Sequence, residues 1–369
     1  MPGPDITRPK NRLRARHFFL DCTIWTAIWT GTLIALAILT QPFAGYASWE
    51  PSQTQSEPAP PSTQTSEPQT STPAANSTPQ QSSDNTGTFV IRKDVDEVLL
   101  HATVVDDKQH IVTNLDRAAF SVFEDGKPQT IVSFHHEDIP VAMGIVIDNS
   151  GSMREKRAKV NQAALNLVRS SNPQDEVFVV NFNDEYYLDQ DFTNDLLKLK
   201  EALEKIDAKG GTALYEAVVA SADHLKRNAR LERKVLFVVT DGEDNASRET
   251  LEQAVKQLQE ENGPSVYAIG ILGDEEHPKR AKRALEILAQ RTGGVAFFPK
   301  TLDEVDEISR QVAHDIRNQY TIGYKPTNPK VAGGFRQIRV DAKAKGHGKL
   351  MVRTKSGYYA GAQGASGTK

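Results

Sequence analysis

The chain has 369 residues, of which 38% are hydrophobic, and this length and composition suit two or three domains with a buried core. The formal net charge is −4 and no basic stripe follows the N-terminal segment, which argues against a nucleic-acid-binding protein. Cys22 is the single cysteine, so an intramolecular disulfide and a cysteine-based metal site are both excluded.

The N-terminal 47 residues have the pattern of a membrane-targeting segment. Residues 1–17 hold five basic residues and one acid, and the run 22–40 carries no charge. As a helix, this run would be roughly 28 Å long, close to the hydrocarbon thickness of a bilayer. We therefore predict a signal anchor or signal peptide in residues 18–47, with the basic segment left in the cytoplasm. An uncleaved single-pass anchor and cleavage near Ala47 with secretion both remain open, although the length of the run favours the anchor.

Residues 48–87 are rich in Ser, Thr, Pro and Gln and contain few large apolar side chains. Such a segment cannot bury enough apolar surface to offset its chain entropy, so we predict a disordered linker. The tail at residues 361–369 is also predicted to be disordered. This organisation predicts a protein held in the cell membrane, with most of the chain on the extracytoplasmic side, in the periplasm or at the cell surface.

Residues 88–138 and 319–360 contain short alternating apolar runs separated by turn residues. In the first segment, Asp125-Gly126 predicts a hairpin turn leading from a strand at 120–123 to one at 131–134. Further strands are predicted at 98–105, 320–324, 337–340 and 350–353. Because the second segment is short for an independent domain, we expect the two segments to pair into one small antiparallel β unit.

Between these segments, residues 139–318 alternate apolar strands with amphipathic helices. The strands are predicted at 141–147, 177–180, 235–239, 266–271 and 295–298, and the helices at 156–170, 196–206, 210–227, 248–261, 279–291 and 302–316. This alternation predicts an α/β fold, with a doubly wound, mostly parallel sheet that carries helices on both faces.

Polar residues occupy strand ends or adjoining loops in this α/β segment. Asp148, Ser150 and Ser152 alternate directly after the first strand, so an extended loop would point them in the same direction. Thr212 follows two glycines at the start of a helix, and Asp241 follows the most apolar strand. Open α/β sheets bind ligands at the carboxyl ends of their strands, and such oxygens suit Mg²⁺, Mn²⁺ or Ca²⁺. Each residue alone would also fit a helix cap or a turn, but together they predict a site for one divalent ion.

The five residues of this predicted site, at these spacings, resemble the metal-ion-dependent adhesion site of von Willebrand factor type A domains. They are Asp148, Ser150, Ser152, Thr212 and Asp241. The resemblance covers residues 141–317, and the flanking segments 120–134 and 355–359 resemble a bacterial group of exported proteins related to these domains. It implies that the two serines and the threonine hold the metal directly, while the two aspartates act partly through water. It also implies that an open coordination position takes a Glu or Asp carboxylate from a partner protein.

We therefore expect a binding or adhesion module rather than an enzyme. A Gly-x-Ser-x-Gly nucleophile elbow is absent because Asp148 stands at its first position, and no Walker A or dinucleotide motif occurs. An aspartyl-phosphate enzyme would have an acid where Ser150 stands, and the three ligand loops contain no histidine to serve as a general base. The alternatives left open are a scaffold for envelope assembly with a purely structural metal, and a metal-dependent hydrolase. Glu243 and Asp244 either temper the charge of the ion or form an ordinary acidic loop.

Overall fold

The structure, a computed structural model, describes residues 97–205, 208–273, 277–328 and 334–361. The predicted membrane segment at 18–47, the predicted linker at 48–87 and nearly all of the predicted tail lie outside the described residues. In the part of the chain that is described, no helix combines the length and the apolar character needed to cross a bilayer.

The strands are β1 (Val98–Val105), β2 (Phe120–Glu124), β3 (Lys127–Gln129), β4 (Ile131–His135), β5 (Ala142–Asp148), β6 (Glu176–Phe182), β7 (Tyr186–Thr193), β8 (Lys234–Thr240), β9 (Ser265–Gly270), β10 (Ala296–Phe297), β11 (Tyr320–Tyr324), β12 (Phe335–Ala342), β13 (Met351–Arg353) and β14 (Gly357–Tyr359). The helices are α1 (Arg157–Ser170), α2 (Leu196–Leu203), α3 (Leu214–Asn228), α4 (Leu251–Leu258), α5 (Pro278–Thr292) and α6 (Glu304–Arg317).

A six-stranded sheet with the order β10-β9-β8-β5-β6-β7 forms the centre of the α/β part. Neighbouring strands run parallel, except that β7 pairs antiparallel with β6 at one edge. Every residue of β5 is buried, in keeping with an apolar strand that is covered on both faces. The chain passes from β5 to β6 on one side and later places β8 on the other, so the strand order reverses at β5. Open α/β sheets bind their ligands in a crevice at such a reversal, outside the carboxyl ends of the strands.

Helices cover both faces of the sheet. Side chains of α1, α2 and α6 pack in one apolar core, represented by Val160, Leu199 and Val312. Side chains of α3, α4 and α5 pack in a second core on the other face, represented by Leu225 and Leu258. The predicted doubly wound α/β fold is therefore confirmed.

Two four-stranded sheets flank this α/β part, with the orders β13-β1-β11-β4 and β14-β12-β2-β3. Each sheet combines strands from before and after the α/β segment; β1 pairs antiparallel with β11, and β2 pairs antiparallel with β12. The two sheets share one apolar core, to which Leu100, Ile322 and Val340 contribute. The prediction of a small antiparallel β unit built from N- and C-terminal segments is confirmed.

Strand pairing differs from the sequence-based prediction in two places. The turn at Asp125-Gly126 is present, with positive φ angles of 48° and 76°, but it leads into the short β3 rather than into the strand at 131–134. That later strand, β4, crosses to the other sheet and pairs with β11. The second difference is β7, an edge strand to which no element was assigned.

Helix boundaries also shift, for reasons visible at the termini. The helix predicted at 248–261 is the shorter α4, because Thr250 forms the N-cap and exchanges hydrogen bonds with Gln253 in a capping box. Helix α5 begins with Pro278 and ends before Gly293, whose φ of 91° suits a glycine C-cap. The remaining predicted elements of the α/β part are present, with ends that move by a few residues.

The last helix of the α/β part is bound to the β unit by a buried polar network. Asp315 on α6 accepts hydrogen bonds from Thr103 Oγ1 of β1 at 2.6 Å and from an Arg353 guanidinium nitrogen of β13 at 2.8 Å. Gln319 adds contacts to Thr103 Oγ1 at 3.3 Å and to the Tyr267 hydroxyl of β9 at 2.9 Å. A buried polar network that is only half satisfied is costly. This network therefore favours the one orientation of the β unit against the α/β part in which its hydrogen bonds form.

Candidate metal site at the carboxyl end of the central strand

Three loops meet where the strand order of the sheet reverses. They are the first loop (residues 149–153, after β5), the second loop (residues 209–213, before α3) and the third loop (residues 241–245, after β8). The backbone N–H of Gly151 donates to the carbonyl oxygen of Gly210 at 3.3 Å, which joins the first loop to the second. The N–H of Asn245 donates to the carbonyl oxygen of Thr212 at 3.0 Å, which joins the second loop to the third.

Asp148 is the last residue of β5 and is 0% exposed. Its Oδ1 accepts a hydrogen bond from the backbone N–H of Ser150 at 2.8 Å, and its Oδ2 accepts one from the Thr240 hydroxyl at 2.6 Å. Burial raises the pKa of Asp148 to about 6, since removal from water disfavours the charged carboxylate, and these hydrogen bonds only partly oppose the shift. A carboxylate so placed would gain from a nearby cation.

A chain of side-chain contacts connects the first loop to the third. The hydroxyls of Ser150 and Ser152 are 3.1 Å apart, and the Ser152 hydroxyl donates to Asp241 Oδ1 at 2.8 Å. Ser152 is the exposed member, whereas the Asp241 side chain is fully buried. The structure therefore brings Asp148, Ser150, Ser152 and Asp241 together as the sequence predicted.

Thr212 lies in the second loop and is held mainly through its backbone. Its N–H donates to the side-chain oxygen of Asn245 at 2.8 Å, and the residue is 4% exposed. Within the described residues, no hydrogen bond joins the Thr212 hydroxyl to the other four predicted ligands. The structure thus places Thr212 in a loop that borders the site, with its hydroxyl outside the contact chain of the other four.

Two residues at the site were not anticipated from the sequence. The ammonium group of Lys156 is 2.6 Å from Asp241 Oδ2, and Thr240 donates to Asp148. The position of Thr240, directly before Asp241 at the strand end, was the available signal for its role. Nothing in the sequence marked Lys156, because its contact with Asp241 spans 85 residues of chain.

Beneath the first loop lies a fully buried arginine, which a sequence reading would assign to the surface. Arg157 donates to the carbonyl oxygen of Leu203 at 3.0 Å and to the side-chain oxygen of Asn181 at 2.8 Å, and it approaches the carbonyl oxygen of Asp148 at 3.4 Å. Burial lowers the pKa of Arg157 to about 10. Its contacts support the backbone from which the first loop leaves the sheet.

The acidic residues next to Asp241 have structural partners. Asp244 Oδ2 accepts hydrogen bonds from the backbone N–H of Tyr215 at 2.9 Å and from the Ser247 hydroxyl at 2.6 Å, so it satisfies donors at the start of α3. Glu243 forms an ion pair with Arg280 at 3.8 Å. These contacts favour the interpretation of an ordinary acidic loop over a direct influence on an ion.

The donor set suits a hard cation. All five predicted ligands offer oxygen atoms, and hard divalent ions prefer oxygen. Within the described ranges, no group of three or more His, Cys, Asp or Glu side chains is placed to hold a metal. A metal at this crevice would therefore depend on the serine and threonine hydroxyls as much as on the two carboxylates.

Comparison with known proteins identifies a domain in this part of the chain. Residues 143–243 match the family model of the von Willebrand factor type A domain. These residues span β5 to the third loop, and they include all five predicted site residues. No curated protein matches the sequence of this chain.

Several solved structures resemble the fold at low sequence identity. A von Willebrand factor type A protein from Catenulispora acidiphila is 15% identical, with 72% of this chain and 74% of that chain covered and a TM-score of 0.43. An aerotolerance-related membrane protein from Bacteroides fragilis is 20% identical, with 48% and 98% covered and a TM-score of 0.40. The proximal thread matrix protein 1 of the mussel byssus, with a zinc-occupied site, is 18% identical, with 52% and 49% covered and a TM-score of 0.42.

Proposed function

We propose that this chain is a binding module that holds one divalent ion and uses it to capture a carboxylate of a partner protein, because residues 143–243 match the family model of the von Willebrand factor type A domain. Von Willebrand factor type A domains are generally binding modules without enzymatic activity. The ion would be Mg²⁺, Mn²⁺ or Ca²⁺. The residues that would hold it are Asp148, Ser150, Ser152, Thr212 and Asp241.

The observation that carries this proposal is the contact chain between the first and third loops. Ser152 reaches Asp241 at 2.8 Å across 89 residues of sequence, and Ser150 lies 3.1 Å from Ser152. Two carboxylates and neighbouring hydroxyls thus gather in the crevice where open α/β sheets bind their ligands. Any one of these residues could serve as a helix cap. Helix capping is local, however, and does not require side chains of the first and third loops to contact each other.

The chemistry of the donors explains why a partner carboxylate would be attracted. A bound ion supplies a positive charge that neutral hydroxyls from serine and threonine do not cancel. Ser152 is exposed, so an incoming Asp or Glu side chain could approach on that side. Asp148 is fully buried and would hold the buried end of the site.

Metal binding can be tested directly with the purified full-length protein. We expect calorimetric titration with Mg²⁺ or Mn²⁺ to show one site, and we expect Thr212→Ala to weaken binding at least tenfold without unfolding the domain. Thr113→Ala, in an exposed loop of the β unit, is the matched control. Equal metal affinity in the wild type, the T212A variant and the control would refute the assignment of Thr212.

Partner capture needs a separate measurement. We expect the wild-type protein to retain its partner from an envelope extract in Mg²⁺ and to lose it in EDTA or with Thr212→Ala. Partners that are unchanged by EDTA and by the substitution would rule out capture through the metal. A metal that binds and stabilises the domain without changing any partner would instead favour the scaffold with a structural metal.

We also propose that the domain lies outside the cytoplasm, on the basis of the charge-free run 22–40 and the basic residues before it. Protease added to cells with a permeable outer layer should then digest the C-terminal part while the inner membrane is intact. Digestion that occurs only after the inner membrane is lysed would refute this location.

A further inference from the structure

Lys156 has a backbone position that fixes its side chain beside the candidate site. The residue lies between the short 3₁₀ turn Gly151–Met153 and the start of α1. Its N–H donates to the carbonyl oxygen of Met153 at 2.9 Å, and its own carbonyl oxygen accepts from the N–H of Val160 at 3.1 Å. The side chain therefore starts from a hydrogen-bonded segment that continues directly from the first loop.

The ammonium group of Lys156 forms an ion pair with one of the two carboxylate oxygens of Asp241. It lies 2.6 Å from Oδ2, while Oδ1 accepts a hydrogen bond from the Ser152 hydroxyl at 2.8 Å. The side chains of Lys156 and Asp241 are only 12% and 0% exposed. A buried carboxylate without a positive partner is costly, so Lys156 stabilises Asp241 when no metal is bound.

A divalent ion held by Asp241 and Ser152 would need the space beside Asp241 that the ammonium group of Lys156 fills. It would also be attracted by the same negative charge of the Asp241 carboxylate. Two cations a few ångströms apart repel each other, and more strongly where burial limits screening by water. Lys156 and the ion would thus compete for Asp241, and the flexible four-carbon stem of lysine would allow its ammonium group to move away.

We propose that Lys156 is the internal counter-cation of this site, and that binding of a divalent ion displaces its ammonium group from Asp241. The proposal rests on the proposed function, because it requires that the site binds metal. It adds that Lys156 sets the metal concentration at which the site fills. The domain then has two states. In one, Asp241 pairs with the ammonium group of Lys156, and in the other, Asp241 binds the divalent ion.

Substitution of Lys156 tests the competition. Lys156→Met removes the charge and keeps a long unbranched side chain, and we expect it to bind Mg²⁺ or Mn²⁺ roughly 10- to 100-fold more tightly, the range of a charge-assisted hydrogen bond. Lys156→Arg keeps the charge and should therefore bind metal less tightly than Lys156→Met. Lys159→Met is the matched control, because Lys159 lies on the same helix and pairs with Asp303 at the surface, with side chains 60% and 81% exposed.

Thermal unfolding supplies a readout that does not depend on partner binding. In EDTA, Lys156→Met should lower the unfolding midpoint, because Asp241 loses its counter-charge, whereas saturating Mg²⁺ should restore most of the loss. The K159M control should show neither change. Lys156→Gln repeats the test with a smaller change of polarity if the methionine variant folds poorly.

Chemical labelling tests the wild-type protein without any substitution. With an amine-acylating reagent and mass spectrometry, Lys156 should react slowly in EDTA and several-fold faster in saturating Mg²⁺, while Lys159 keeps one rate. A Lys156 rate that is unchanged by a metal that binds would overturn the proposal.

The outcomes separate this proposal from the proposed function. If the wild type binds metal and Lys156→Met binds it equally or more weakly, the competition is refuted and the metal site stands. If neither the wild type nor the K156M variant binds metal, the proposed function fails and the competition fails with it. Tighter binding by Lys156→Met alone supports both.

Discussion

Asp148→Asn is expected to stabilise the metal-free protein while it removes metal binding. The pKa of Asp148 is about 6 in the folded protein, against an ordinary value of 3.8, because burial disfavours its charged form. The folded protein thus holds a proton on this group more tightly than the unfolded chain does. The charged carboxylate costs stability as pH rises through the window from about 4 to about 6, and the cost is complete above it.

The difference of about two pKa units corresponds to about 3 kcal/mol at pH 7. An asparagine can keep both contacts, since its oxygen can accept from the Ser150 N–H and its NH₂ group can donate to Thr240 Oγ1. We therefore expect Asp148→Asn to raise the free energy of unfolding in EDTA by up to about 3 kcal/mol. In Mg²⁺ at 100 times its Kd, the wild type should gain about 2.7 kcal/mol and the variant nothing.

Urea denaturation at pH 7, in EDTA and in Mg²⁺, measures both effects, and a series down to pH 4 should show the difference between the proteins shrinking as Asp148 becomes protonated. Asp241→Asn is the contrasting control. That substitution removes the negative charge 2.6 Å from the ammonium group of Lys156 and so loses the attraction within this buried pair, and it should destabilise the metal-free protein. A metal-free Asp148→Asn variant that is less stable than the wild type at pH 7 would refute the burial argument.

Three further predictions concern other parts of the molecule. Gly144→Ala should destabilise the domain by at least 1–3 kcal/mol in chemical denaturation, since an added Cβ would lie 2.3 Å from the Phe178 ring; wild-type stability would contradict the tight packing of β5. Glu124→Ala should cost about 3–5 kcal/mol, because it removes the buried carboxylate that lies 2.7 Å from the Arg336 guanidinium. Glu124→Gln should cost less, and equal midpoints for the two variants would argue against a charge effect. The pKa of Lys355 is lowered from 10.5 to about 8, chiefly by burial, so its protonation costs stability as pH falls from about 10.5 to about 8, and the cost is complete below that window. Lys355→Met should therefore be more stable than the wild type at pH 7 by up to about 3 kcal/mol, and the gain should vanish toward pH 10.5 in urea titrations. A constant difference across that range would exclude the titration of Lys355 as its cause.

Local patterns in the sequence were sufficient for most elements of the α/β part. Continuous apolar runs such as β5 and β8 indicate strands that are buried on both faces, and this property is written into a few consecutive residues. The amphipathic helices between them follow from a period of 3.6 residues. The edge strand β7 was missed because it is acidic and largely exposed, so it lacks the apolar run that marked the other strands of the sheet. Its signal was the β-forming Tyr186-Tyr187-Leu188 after a polar turn.

Pairing partners in the β unit needed the tertiary structure. The positive φ angles at Asp125 and Gly126 follow from the residues themselves, so the turn could be predicted. Which strand follows the turn in the same sheet could not, because β3 and β4 are separated by a single residue and belong to different sheets. That choice is made by contacts with β11, almost 200 residues away, which no local window contains.

At the candidate site, the sequence by itself determined the types of donor atoms and their order along the chain: an aspartate and two serines at alternate positions, a threonine after two glycines, and an aspartate at the end of an apolar strand. Only the tertiary structure decided that Ser152 meets Asp241 and that Lys156 pairs with the same carboxylate. The physical reason is that side-chain oxygens are a local property of the chain, whereas their charge balance depends on which distant groups the fold buries beside them.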